Sequence, residues 1–144
     1  MKIVADLNNS YLTSDMITLT QGDTKPYLTI NMVDEIVHAN GTNTIIPLDV
    51  SNSTVCMKLR KTGTANLIDT IICTAIPGLE NSSGSVEFDA PYDQPGVGGR
   101  VLVAWNTNSL SVAGVIEGEV EVTFIDESIQ TAFNVIKMYV RPQF

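Results

Sequence analysis

The feature that most constrains this chain is an apolar pattern that returns at every second residue. Gly118-Glu119-Val120-Glu121-Val122-Thr123-Phe124-Ile125 shows it in its strictest form. Successive side chains on a strand point to opposite faces, so period two means one face in the core and one in solvent. Val120, Val122 and Phe124 are therefore expected inside, with Glu119, Glu121 and Thr123 outside as a solvated face. Asp126-Glu127-Ser128 supplies a turn, and Thr131 to Val140 reads as the returning strand, ending at Arg141-Pro142.

The same period recurs upstream. Met16-Ile17-Thr18-Leu19-Thr20 alternates and stops at Gln21-Gly22-Asp23, and Tyr27 to Val33 alternates again before the Asn40-Gly41 turn. Thr54 to Arg60 is amphipathic, with Val55, Met57 and Leu59 on one side and Lys58 and Arg60 on the other. It faces the run Leu67 to Ile76 across Gly63-Thr64-Ala65-Asn66. A hairpin centred on that turn places Arg60 opposite Asp69, an opposite-charge pair, and Cys56 opposite Cys73. Ser85 to Asp89 is a short strand and Arg100 to Trp105 a buried one, a helical turn being the alternative. Between them, Ala90 to Gly99 holds two prolines and three glycines, which break regular structure. It is long for a loop in a compact domain. Tyr92, Asp93, Gln94, Pro95 and Gly96 are accordingly a candidate contact segment or hinge.

No stretch carries helix caps with a 3.6-residue period. About eight short strands at regular spacing predict an all-β fold, a single antiparallel β-sandwich. Its 144 residues fit one domain. The sandwich is expected over 15–144, with 1–14 as an N-terminal arm or first edge strand; Asn8-Asn9-Ser10 interrupts that segment. Hydrophobic residues form 44% of the chain and charged ones 17%, enough apolar matter for a core. No apolar run is long enough for a membrane helix, and Met1 to Asp6 lacks a secretory core, so synthesis in a cytoplasm without export is expected.

With 8 Lys+Arg against 16 Asp+Glu, the net charge is −8, which repels nucleic-acid phosphates and anionic lipid. Cys56 and Cys73 lie in apolar strand runs and are read as buried thiols. The single histidine, His38, sits on an Asn/Gly loop with no nucleophile signature near it. Zinc would need more ligands, and neither Asp93 nor Asp126 has the acidic ladder of a calcium loop. Gly96-Val97-Gly98-Gly99 opens no helix and is a turn rather than a phosphate cradle. Trp105, in an apolar run, is read as core; a sugar-stacking role for it or Tyr92 is the alternative. The residues thus point to a protein that is not an enzyme and carries no cofactor or metal. A carbohydrate-binding module and a paired-carboxylate hydrolase stand as weaker readings.

Ile17-Thr18-Leu19-Thr20-Gln21-Gly22-Asp23-Thr24-Lys25-Pro26 resembles the opening of the N-terminal domain of phage baseplate upper proteins, a strand followed by a Gln-Gly-Asp-Thr-x-Pro turn. Ile46-Pro47-Leu48-Asp49-Val50 leading into Val55 to Arg60 resembles the next part of that pattern. So do the run from Gly114 to Val122, the acidic turn after it and the ending Tyr139-Val140-Arg141. The similarity spans about residues 15 to 141. Gln21, Gly22, Asp23, Thr24, Lys25 and Pro26 read as a structural turn: Gly22 takes a positive φ, Asp23 accepts backbone N–H groups and Pro26 fixes the exit. The resemblance implies an immunoglobulin-like sandwich that multimerises and attaches receptor-binding or fibre proteins to a virion; a trimer or hexamer would fit phage particles in general. Members of the family often continue into a stalk, whereas this sequence stops at Phe144. That departure leaves a head-decoration or fibre-anchoring capsid protein as the alternative to a baseplate or tail adaptor.

Overall fold

The computed structural model describes residues 2–6, 12–13, 16–80, 83, 85–132 and 135–144. Strand pairing organises all of it, and no helix occurs among these residues. The strands are β1 (Lys2–Asp6), β2 (Leu12–Thr13), β3 (Ile17–Thr20), β4 (Leu28–Val37), β5 (Asn43–Pro47), β6 (Thr54–Lys61), β7 (Leu67–Ala75), β8 (Leu79–Glu80), β9 (Val86–Glu87), β10 (Arg100–Val103), β11 (Gly114–Thr123), β12 (Ile129–Thr131) and β13 (Ile136–Arg141). Asn8 to Ser10 lie outside the described residues.

Eleven strands join in one sheet that runs β2-β1-β4-β10-β7-β6-β11-β13-β3, with β5 beside β4 and β12 beside β11; β8 and β9 pair separately. The sheet is mixed, not purely antiparallel as expected: β1 runs parallel to β4, and β3 parallel to β13. Both exceptions sit toward the ends of the path, where a strand reaches its neighbour by a long connection instead of a hairpin. β7 holds two halves together. It pairs with β6 over most of its length and with β10 through Thr74 and Ala75.

The halves curl over one core, consistent with a β-sandwich. Leu28, Ile30, Met32, Val101 and Val103 come from one half. Met57, Leu59, Ile116, Val120, Val122, Ile136, Met138 and Val140 come from the other, and all belong to one buried cluster. Trp105 is part of it, 5% exposed, so its core assignment holds. The alternation read from β6 and from Glu119 to Thr123 of β11 therefore translates into burial, and β13 alternates in the same way.

Two details of register differ from expectation. In the β6–β7 hairpin Cys56 faces Ile72 and Val55 faces Cys73, one residue away from the expected pairing. The turn closes early, with the Thr64 N–H on the Lys61 carbonyl (3.1 Å) and Gly63 at φ 81°. A bulge then shifts the ladder between Leu59/Arg60, and Arg60 pairs with Leu67. A one-residue slip exchanges faces. Cys73 is buried at the core, its thiol pushed up to about 12 by burial, while Cys56 is half-buried on the outer face. Burial first, then Glu121, also raises Cys56. The buried-thiol reading thus holds for Cys73 and not fully for Cys56.

The slip also removes Asp69 from Arg60 and turns it inward beside Leu59. A carboxylate there needs donors. It receives the Ser109 hydroxyl (2.6 Å), the Asn106 amide (3.0 Å) and the Thr70 N–H (2.9 Å). The second difference is in the closing strand, which is two pieces. β12 pairs Thr131 with Glu121, and β13 pairs Ile136 with Gly118.

Candidate functional site

Contacts with other proteins require surface that the fold does not use internally. Four regions bear on this: the two segments singled out in the sequence, the β4–β5 hairpin, and the outer face of β6 and β11.

The 21–26 turn is built into the end of the sandwich. The Gln21 N–H donates to the Arg141 carbonyl (2.9 Å), its side-chain amide to the Ser111 carbonyl (3.0 Å), and the Gly22 N–H to the Leu110 carbonyl (2.9 Å). Gly22 has φ 82°, a conformation that glycine adopts without a Cβ penalty. Asp23 donates its backbone N–H to the Thr20 carbonyl (3.1 Å). The accepting role expected of its carboxylate has no partner among the described residues. Pro26 follows a cis peptide, and its carbonyl accepts the Trp105 indole N–H at 2.8 Å. Lys25 lies over the Tyr27 ring, 5.8 Å from its centre, and Thr24 is exposed.

The 90–99 loop is likewise anchored, at the opposite half. The Gly78 N–H reaches the Tyr92 carbonyl (2.8 Å), the Gly96 N–H the Ile76 carbonyl (3.1 Å) and the Val50 N–H the Gly96 carbonyl (2.9 Å). The Tyr92 ring lies on Gly98, where a Cβ would come within 2.1 Å of it. Asp93, Gln94 and Pro95 form the exposed tip, while Gly96 is buried. The two segments do not meet.

The β4–β5 hairpin was not singled out from the sequence. Beyond Val33, β4 pairs with β5 alone among the described strands: Asp34 faces Ile46, and Ile36 faces Thr44. The even-numbered residues of β4 that fill the core at Leu28, Ile30 and Met32 continue into this extension. There Ile36 is 44% exposed and Ile46 37%, with Ile45 on the other face at 55%. His38 sits at its tip, 2.7 Å from the Thr44 hydroxyl. It is a loop histidine with a local partner.

On the outer face, β6 and β11 carry a charge ladder. Arg60 Nε donates to Glu117 Oε2 and Lys58 Nζ to Glu121 Oε2, each at 3.1 Å. Glu117 is only 9% exposed, and Glu119 and Glu121 are half-buried, so this face is not simply solvated as expected. The hydrogen bond that Lys58 donates to Glu121, and then the charge of Glu121, raise the Lys58 ammonium above its ordinary range. The alternating charges were legible; the partners were not, because register fixes them. Asp126 accepts the Ser128 N–H and hydroxyl within its own turn, and these bonds lower its carboxyl.

No protein-family model matches this sequence, and no curated protein matches it. Among solved structures it is similar to the N-terminal domain of phage TP901-1 ORF48, with a TM-score of 0.57 and 14% identity over 97% of this chain and 96% of that one. At that identity the likeness concerns the fold. The chain folds, from end to end, like the N-terminal domain of a phage protein.

Proposed function

We propose that this chain is a structural protein of a bacteriophage particle. It acts as a baseplate or tail adaptor that holds receptor-binding or fibre proteins through protein contacts, without catalysis. The observation that carries the reading is the likeness to a phage domain over almost the full length of both chains. The motif resemblance at 17–26 points the same way. An immunoglobulin-like derivation of the sandwich, and a homo-oligomer of three or six copies in the virion assembled in the host cytoplasm, belong to the same proposal. The hairpin supports it: apolar side chains at strand spacing that the fold leaves outside its core suit burial against a neighbour.

The carbohydrate-binding alternative loses its main support. Trp105 is buried and its N–H is committed to Pro26, so it offers no stacking face.

The test is to purify phage particles carrying an epitope-tagged copy on a density gradient. Co-banding of the tag with intact particles, and loss of fibres when the gene is deleted, is the expected result. A tag found only in the soluble fraction, with fibres unaffected by deletion, overturns the reading.

A further inference from the structure

A cleft of about 170 Å³ opens on the outer face of β6 and β11. The β6–β7 turn and bulge bring up Ala65 and Leu67 on one side, and Val135, just before β13, stands on the other. Leu67 is 58% exposed there. Lys58, Arg60, Glu117 and Glu119 complete the lining.

The charges of this lining do not cancel in pairs. Arg60 is held by Glu117. Lys58 stands directly opposite Glu119 in the ladder, yet its ammonium reaches diagonally to Glu121 at 3.1 Å. Glu119 is half-buried and, among the described residues, has no hydrogen bond or ion pair. Lys58 donates to Glu121 and Arg60 to Glu117, so among the described residues Glu119 keeps only the through-space attraction of Lys58 and has no hydrogen-bond donor of its own. Apolar walls around a single carboxylate fit a side chain with an aliphatic stem and a cationic head.

We propose that this cleft receives a lysine or arginine side chain from a different protein of the assembly. The stem lies along Leu67 and Val135, and the head group donates to Glu119. With 8 basic residues against 16 acidic ones, a second copy is the poorer source of a cationic side chain for this cleft, whatever other surface joins the copies. The partner is therefore basic at its contact point. The proposal rests on the assembly reading only in taking the donor to be a protein. The cleft's own preference is tested without a partner.

The test is an amide-resolved NMR titration with acetyl-arginine amide and acetyl-lysine amide, using acetyl-norleucine amide as the uncharged control. Saturable shifts at Ala65, Leu67, Glu119 and Val135 are expected with the two cations. They should weaken about tenfold in Glu119→Gln at unchanged melting temperature, the scale of one charge-assisted hydrogen bond. Equal shifts with the norleucine probe, or no difference between wild type and Glu119→Gln, overturn the proposal. Glu119→Lys distinguishes the source: a change in the self-associated mass of the pure protein identifies a second copy as donor and overturns the heterologous partner. If the small cations bind the cleft while the tagged protein stays off phage particles, the site stands and the virion reading falls.

Discussion

The β6–β11–β13 face and the β4–β5 hairpin are written in the same alternating code, yet they end in opposite environments. Met57, Ile116 and Met138 are fully buried, whereas Ile36, Ile45 and Ile46 are 44%, 55% and 37% exposed. The difference lies in what stands opposite. β11 is flanked by β6 on one side and by β12 and β13 on the other, and the second half of the sandwich covers its inner side. Beyond Val33, β4 pairs only with β5 among the described strands. Period two specifies that one face of a strand is apolar; it does not specify whether the cover comes from the same chain. Where the described chain provides none, the apolar face stays exposed.

Substitutions sharpen that contrast. Met57→Ala or Ile116→Ala should destabilise the fold by about 2–5 kcal/mol in urea denaturation, because each leaves a cavity in the shared core. Gly99→Ala belongs with these: Gly99 has φ 84°, and a Cβ would lie 2.2 Å from the Met32 carbonyl oxygen, a clash with backbone. A loss of about 3 kcal/mol or more is expected, against about 1 kcal/mol for Gly41→Ala, which shares the positive φ but has open space. Equal losses at the two glycines would break the account of the 90–99 loop as a packed element.

Asp69 comes next. Burial raises its carboxyl, but the bonds from Ser109, Asn106 and Thr70 outweigh that and hold it below its ordinary 3.8. Its folded value is thus lower than its unfolded one. The stabilisation is present above the unfolded value and is lost as pH falls through the folded one. Asp69→Asn should lower stability by about 1–3 kcal/mol at neutral pH and flatten the wild-type decline below about pH 4. A variant that declines in parallel with wild type would remove Asp69 from the explanation. The smallest effects should come from the outer ladder and the hairpin. Glu117→Gln should cost about 1 kcal/mol or less, since Arg60 is half in solvent, and Ile45→Ser within about 0.5 kcal/mol.

Much of this was legible in the sequence. Strands at 17–20 and 54–61 and the 118–123 part of β11 follow from alternation, the turn at 126–128 from its acidic residues, and the strand at 100–103 with buried Trp105 from a continuous apolar run. Pairing was harder to read. The register of β6 on β7 depends on where the Gly63 turn closes and on one bulge, so Asp69 found Ser109, forty residues on, instead of Arg60. The cleft was invisible for a related reason. Glu119 looked like one of several solvent-facing carboxylates until the ladder gave Lys58 to Glu121. The hairpin isoleucines were missed because composition and period alone make an exposed apolar strand look like a core strand.

The account's central claim is that the chain works by assembly, through apolar side chains its own fold leaves uncovered. The direct measurement is the solution mass by light scattering across a concentration series, for the wild type and for a variant combining Ile36→Ser, Ile45→Ser and Ile46→Ser. The account predicts a trimer or hexamer of the 15.6 kDa chain for the wild type, and a monomer with an unchanged melting temperature for the variant. A wild type that stays monomeric at every concentration, or a variant that assembles as the wild type does, would contradict it.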